Sequence, residues 1–269
     1  MLKNIKFLAA KIITKTPYFW KLGWSCVNHC SFLLPHDNSY WALKHFCTPN
    51  QDLFLDIGAN CGISALSFRK INKVTPILSI EPNPLHQQRL SKLTKKIPSF
   101  SFLLLGAGNT NKEMIFYTPI YKGIVLHTFT ATSKQQIKDA VQTTFGKKIA
   151  NSINIKMNKT KITKIDELHI NPTIIKIDTE GYENQVILGT EKTIQKMRPF
   201  LMIEACWSSY QDIKCFFTKH NYYLLSYNYK KDQFIQISSE QLVNKSAIKN
   251  IFAIPFEKIS SLPVQGLLL

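Results

Sequence analysis

The chain reads as an α/β protein: a mostly parallel sheet with helices on both faces and an antiparallel strand near the C-terminus. Three observations predict it. Short apolar runs alternate with helical patterns. Six of the ten glycines (Gly58, Gly62, Gly106, Gly108, Gly181 and Gly189) fall at or just after the ends of those runs. A chain of 269 residues at 45% hydrophobic content is long enough for one large core and too short for two comfortable ones.

The elements follow in order. Residues 1–50 form a helical and irregular lead-in, and 51–269 the domain proper. Residues 53–57 (LFLDI) are a buried strand and 63–70 the helix after it; 76–80 are a second strand, and 85–96 a second helix introduced by a Pro-Asn-Pro turn. Residues 101–105 make a third strand. An insertion at about 112–158 then breaks the rhythm, with strands at 114–118 and 153–157 and a helix at 133–144, started by Thr132 or Ser133 and stopped near Gly146. The alternation resumes with a fourth strand at 173–177, a helix over 183–196, a fifth strand at 200–203 and a helix at 209–220. Residues 222–227 and 250–254 complete the sheet as an antiparallel pair. Such alternation defines a Rossmann-like architecture.

Composition limits the partners. The net charge of +17 favours anionic surfaces, but only three basic residues are arginine (Arg69, Arg89, Arg198), the residue suited to bidentate phosphate and base recognition. A solvated lysine-rich surface is expected, with no specific nucleic acid. No apolar run approaches the roughly 20 residues of a membrane span, and Lys3, Lys6 and Lys11 interrupt the start before a signal sequence can form. Six cysteines without a CxxC pair fit reduced thiols and a cytoplasmic location. Cys26, His29, Cys30, His45 and Cys47 cluster in sequence, but their spacings match no standard zinc module, and no metal is expected. Within residues 1–15, Leu2, Ile5, Leu8, Ala9, Ile12 and Ile13 share one arc of a helical wheel opposite Lys3, Lys6, Lys11 and Lys15. This basic amphipathic stripe packs on the core or touches an anionic membrane surface.

The glycine-rich ends carry the chemistry. Asp56-Ile57-Gly58-Ala59-Asn60-Cys61-Gly62 leaves a buried strand and opens a helix, where a ligand can meet backbone N–H groups. Gly58 permits a tight turn, and Gly62 is expected to let the backbone approach a ligand. The spacing G-x-x-x-G is neither the dinucleotide fingerprint nor a P-loop, which demotes nicotinamide cofactors and ATP. Glu81 ends the second strand, where an acid of a βαβ nucleotide unit hydrogen-bonds ribose hydroxyls. Acid at both strand tips suits a nucleoside without phosphates. S-adenosyl-L-methionine meets that description, because its sulfonium is attracted to carboxylates.

A third signature, Lys176-Ile177-Asp178-Thr179-Glu180-Gly181-Tyr182-Glu183, follows strand four. Together with the D-I-G-A-N-x-G loop, the S-I-E-P turn and Arg198-Pro199-Phe200-Leu201-Met202-Ile203-Glu204, it resembles the FkbM-type methyltransferases over about residues 50–207. The resemblance implies a class I methyltransferase fold, S-adenosyl-L-methionine as donor, and O-methylation of a sugar, glycan or small metabolite. It implies that Asp56, Gly58, Asn60 and Gly62 surround the methionine part of the donor, that Glu81 holds the ribose, and that Gly106-Ala107-Gly108, Ala107 centrally, borders the adenine. Asp178 then faces the methyl group, with Glu180 and Glu183 toward the acceptor; Glu183 is equally explained as an exposed helix residue favoured by the macrodipole.

Methyl transfer from a sulfonium needs alignment and a place for one proton. Asp178 or Glu180 is the expected base, with His127 of the insertion a distant third. Two rivals remain: a non-catalytic S-adenosyl-L-methionine-binding module, and an N-methyltransferase acting on a macromolecule. The latter would carry an Asn/Asp-Pro-Pro-aromatic motif where this chain has D-T-E-G.

Overall fold

The computed structural model describes residues 16–19, 22, 35–47, 53–238 and 248–266. The amphipathic stripe of residues 1–15 and the residues Cys26, His29 and Cys30 lie outside them. The chain divides into two compact units, one holding residues 34–112 and 162–269, the other including 113–161.

In chain order the larger unit begins with a 3-10 helix, Asn38–His45, whose Tyr40, Ala42 and Leu43 are buried. Strand β1 (Phe54–Ile57) leads to helix α1 (Ile63–Ile71), β2 (Ile77–Ile80) to α2 (Gln87–Thr94), and β3 (Phe100–Leu103) to a two-residue strand, β4 (Gly106–Ala107). Next come β5 (Lys112–Tyr121), β6 (Ile124–Val125), α3 (Lys134–Phe145), α4 (Lys147–Ala150) and β7 (Asn154–Thr163), most of which belong to the other unit. The larger unit resumes with β8 (Ile174–Ile177), α5 (Glu183–Leu188), α6 (Glu191–Met197), β9 (Phe200–Glu204), α7 (Tyr210–Lys219), β10 (Tyr222–Asn228), β11 (Gln233–Gln236), β12 (Asn250–Pro255) and β13 (Val264–Gln265).

Among the described residues these strands form a nine-stranded sheet in the order β13-β11-β10-β12-β9-β8-β1-β2-β3. The five strands β3, β2, β1, β8 and β9 are parallel neighbours, and β12 runs antiparallel between β9 and β10. The expected antiparallel pair is therefore present. The chain order reverses between β1 and β8, the switch point outside which open α/β sheets bind ligands.

Period-two alternation assigns the two faces. Phe54, Ile77 and Ile174 pack with Phe68 of α1 and Leu90 of α2; Leu55, Ile80, Ile175 and Ile203 pack with α5, α6 and α7 through Val186, Ile194 and Phe217. Helices thus cover both faces. One difference from expectation has a plain cause: the helix expected over 183–196 is two helices, α5 and α6, broken at Gly189. A Cβ there would lie 1.9 Å from the carbonyl oxygen of Gly108, so the chain approaches the turn after β4 too closely for a side chain.

The unit including residues 113–161 has its own small core of Leu126, Ile137, Val141 and Phe145. Ser133 caps α3 by accepting from the backbone N–H groups of Gln135 and Gln136, as the sequence predicts. His127 lies in this unit, in a short 3-10 turn. Among the described residues, no helix is long and apolar enough to cross a membrane.

Candidate active site

The loop after β1 is shaped by positive φ angles at Gly58 (+81°), Asn60 (+49°) and Gly62 (+80°). Gly58 is irreplaceable on steric grounds, because a Cβ would fall 1.7 Å from the Asp178 carbonyl oxygen at the neighbouring strand end. Gly62 also stands at a close approach within the protein. Its Cβ would meet Leu93 Cδ1 at 2.2 Å and Leu90 Cδ2 at 3.3 Å, so the close approach is to helix α2.

Beneath the loop, the face shared by Phe54 and Ile174 carries a polar row across the sheet. Ser79, Asp56, Lys176 and Met202 are register partners on β2, β1, β8 and β9. Asp56 is fully buried. It accepts hydrogen bonds from the hydroxyls of Ser64 and Ser79, and Lys176 Nζ stands 3.3 Å from its Oδ1. The carboxylate is turned into protein, so the direct ligand contact expected of Asp56 gives way to a structural one beneath the loop. Lys176 reaches Asp178 Oδ2 at 3.2 Å and donates to the Gly58 carbonyl at 3.4 Å. Burial would strip its proton, but Asp178 and then Asp56 hold the ammonium well above the usual lysine value. Sequence reasoning did not single out Lys176 for a role. The signal was present, since a lysine inside the apolar run T-I-I-K-I-D needs a buried partner.

Glu81 is nearly buried at the tip of β2. Its carboxylate accepts from the backbone N–H of Asn60 at 2.7 Å and of Asn83 at 2.8 Å, tying the glycine loop to the exit of β2. Burial pushes its pKa up to about 7, against the pull of those two N–H groups. A carboxyl that ionises near 4.5 unfolded and near 7 folded binds its proton more tightly in the fold, so its contribution to stability falls as pH rises through that window. Urea unfolding of the parent and of Glu81→Gln should show the parent losing stability relative to the variant between pH 4.5 and 7. A constant difference between them would contradict the assignment.

The turn after β8 brings the remaining acids together. Asp178 faces the open side, its side chain 36% exposed. Burial opposes its charge, but Lys176 more than compensates and holds its carboxyl below the usual range. Glu180, at φ +53°, is exposed at the tip of the turn. Partial burial, then Asp178 and Glu183, raise its pKa. Glu183 is neither an exposed helix residue nor directed toward an acceptor: it is fully buried, and Oε1 accepts from the N–H of Thr179 (2.8 Å) and Gly181 (3.1 Å) and from the Thr179 hydroxyl. It fixes the turn that presents Asp178 and Glu180. Ala107 is buried in β4, paired with Thr163, and the ring of Tyr182 lies beside Gly108.

A cavity of about 530 Å³ opens over the tips of β8 and β9, lined by His36, Tyr40, Asp178, Glu204, Trp207 and Asn250 among others. Tyr40 is buried, and its hydroxyl has no hydrogen-bond partner among the described residues. His36 accepts or donates one hydrogen bond with Ser67 Oγ at 2.7 Å; burial and Lys176 lower its pKa to about 4, so the ring is neutral at physiological pH. The segment is anchored from below, where Asp232 receives Lys44 Nζ at 2.6 Å and His45 Nε2 at 2.8 Å. Cys47 Sγ donates to the Leu43 carbonyl. Of the wall residues, sequence reasoning selected Asp178; Tyr40, His36 and Glu204 are among those it did not select. Glu204 alone left a trace, an acid ending a strand as Glu81 and Asp178 nearly do.

A doubly wound order closed by an antiparallel strand, with acids at the strand tips flanking a glycine loop at the switch point, defines the class I methyltransferase fold. The profile described as Methyltransferase FkbM domain matches residues 56–231. The chain belongs to the FkbM methyltransferase family. Among solved structures, the chain is similar to a methyltransferase FkbM from Methylobacillus flagellatus KT, at 15% identity and a TM-score of 0.47, over 79% of this chain and 47% of that one. It thus spans about half the length of that relative. It is also similar to the plantazolicin methyltransferase BpumL in complex with SAH (9%, TM-score 0.42, 94% and 96% of the two chains). A third likeness is to a precorrin-6y C5,15-methyltransferase from Geobacter metallireducens GS-15 (10%, TM-score 0.38, 69% and 71%). No curated protein sequence matches the chain.

Proposed function

We propose that the chain transfers a methyl group from S-adenosyl-L-methionine to a hydroxyl oxygen of a small-molecule or glycan acceptor, as a cytoplasmic enzyme. The observation that carries this reading is the acid-tipped edge at the switch point. Glu81 and Asp178 end β2 and β8 on either side of the Gly58–Gly62 loop, while the cation beside them, Lys176, is taken up by Asp56 and Asp178. That donor set fits ribose hydroxyls and a sulfonium, and disfavours a phosphate chain.

When bound, S-adenosyl-L-methionine supplies a methyl group made electrophilic by positive sulfur. The protein's part is placement and proton handling. Glu81, held by two backbone N–H groups, retains lone pairs for ribose hydroxyls. Gly58, Asn60 and Gly62 shape the loop around the amino-acid end, with Ala107 at the adenine side. Asp178 is kept ionised by Lys176 and accepts the hydroxyl proton of the acceptor, and Glu180 orients that hydroxyl from the turn. The cavity walls, Tyr40 and His36 above all, exclude water. Its lining sets Asp178 against Lys176 and Asp37 against Lys249, a nearly balanced charge that suits an uncharged acceptor better than nucleic acid.

Calorimetry on the parent should detect S-adenosyl-L-methionine binding, and Glu81→Ala should weaken it by about 1 to 3 kcal/mol, the range for a lost hydrogen bond to a charged group. Equal binding by both proteins would remove Glu81 from the donor site. A panel of hydroxyl compounds incubated with methyl-labelled donor should yield product labelled on oxygen; label on nitrogen would overturn the O-transfer reading.

A further inference from the structure

We propose that Asp178 and Glu204 work as a one-proton carboxyl pair positioned by Lys176, in which Glu204 holds the resident proton and Asp178 presents the oxygen that receives the acceptor's proton. The proposal rests on the reading of this edge as the transfer site.

The register places the two acids together. Ile177 and Ile203 are partners on parallel strands β8 and β9, so Asp178, just past the end of β8, and Glu204, the last residue of β9, stand side by side. Alternation sets them on the same face as Lys176 and Met202. Both line the 530 Å³ cavity. Two carboxylates so placed repel one another when both are ionised; a proton held by one relieves that repulsion and gives it a donor to offer the other.

Lys176 decides which. Its ammonium lies 3.2 Å from Asp178 Oδ2 and is itself braced by Asp56, which Ser64 and Ser79 hold from the other side. The negative charge therefore settles on Asp178. Glu204 is surrounded by the opposite field. Partial burial, then Asp178, then Glu180 on the turn after β8 and Glu183 on α5, push its pKa up to about 8. From the segment before the 3-10 helix, His36 is neutral and Asp37 is tied to Ser39, with Lys249 at 3.6 Å from Asp37. At neutral pH the pair thus carries one proton and one charge.

Such a pair suits the chemistry. As the acceptor oxygen bonds to the methyl carbon, the carbon–sulfur bond breaks with its electrons kept by sulfur, and the hydroxyl proton passes to Asp178. The pair then holds two protons and no charge, and returns one to water. Glu204 acts through Asp178 and is a positioning residue: its hydrogen bond fixes the orientation of the receiving oxygen.

The test uses the full chain without ligands, labelled with ¹³C at the Asp and Glu carboxyls and titrated by NMR. One glutamate should titrate near pH 8, and that transition should vanish in Glu204→Gln while the Glu81 transition near 7 remains. In Asp178→Asn, Glu204 should titrate at least one pH unit lower, having lost a negative neighbour. If that variant does not fold, Glu180→Gln, on the exposed turn, should still produce a smaller downward shift. A transition that persists in Glu204→Gln, or one indifferent to both neighbouring variants, overturns the pair. Because the titration needs no donor, it can fail while S-adenosyl-L-methionine binding survives in calorimetry, and the converse failure would strike the function alone.

Discussion

Asp178→Asn should lower single-turnover methyl transfer by about 10² to 10⁴, the range for a lost general base, while changing donor affinity far less. The substitution keeps the size of the side chain and removes its charge. Lys176 stands 3.2 Å from Asp178 Oδ2, so the ammonium also loses one of its two carboxylate partners, and thermal stability must be measured alongside the rate. Glu180→Gln should cost less, because Glu180 is exposed at the tip of the turn. The acid limb of the pH–rate profile separates the two. Lys176 holds Asp178 below the usual carboxylate range, whereas burial and neighbouring acids raise Glu180. A base that loses activity only well below the ordinary range is therefore Asp178, and a limb above that range would point to Glu180. Near-parental rates in both variants would move the chemistry elsewhere, with His127 next in line.

Lys176→Met is expected to destabilise the fold by about 3 to 5 kcal/mol, the cost of removing one partner of a buried ion pair. Methionine restores most of the volume, so the loss reports charge more than packing. Asp56, wholly buried, would keep only the hydroxyls of Ser64 and Ser79 and be left as a buried charge without its cation. Pairing the change with Asp56→Asn should recover part of the loss, since the two residues are coupled. Urea unfolding of the parent, the single variant and the double variant checks both statements. A single-variant cost below about 1 kcal/mol would mean that the row is solvated and weak.

The sheet was legible because buried parallel strands announce themselves as short apolar runs, and each one here ends on a glycine, an acid or a turn residue. Even the antiparallel pair at the C-terminal end followed from loop length and pattern. The division at Gly189 was not legible, because nothing in the segment 183–196 reveals that a carbonyl from Gly108 lies against it. The site divides likewise. Glu81, Asp178 and Glu180 stand out as acids at or beyond strand ends, a local property. The inward direction of Asp56 and the partner of Lys176 depend on register across β2, β1 and β8, which is tertiary information. Tyr40 and His36 reach the cavity from more than a hundred residues away in sequence from Asp178, and no local pattern marks them. Glu183 misled for a related reason: its position in a first helical turn is the same whether it faces solvent or folds back to hold the turn.

The walls of the cavity come from four separated stretches, and their origin bears on how such enzymes diversify. Asp178, Glu204 and Trp207 lie within the matched family segment, 56–231, while His36, Tyr40 and Asn250 lie before and after it. The family segment thus carries the acid tips and part of the wall, and the flanking segments supply the rest of the wall. A lineage can exchange its flanking segments and change what the cavity admits, with the glycine loop, the buried lysine and the acid tips left untouched. On the proposed reading of the cavity, a change of acceptor would then draw on residues outside the matched segment as well as within it.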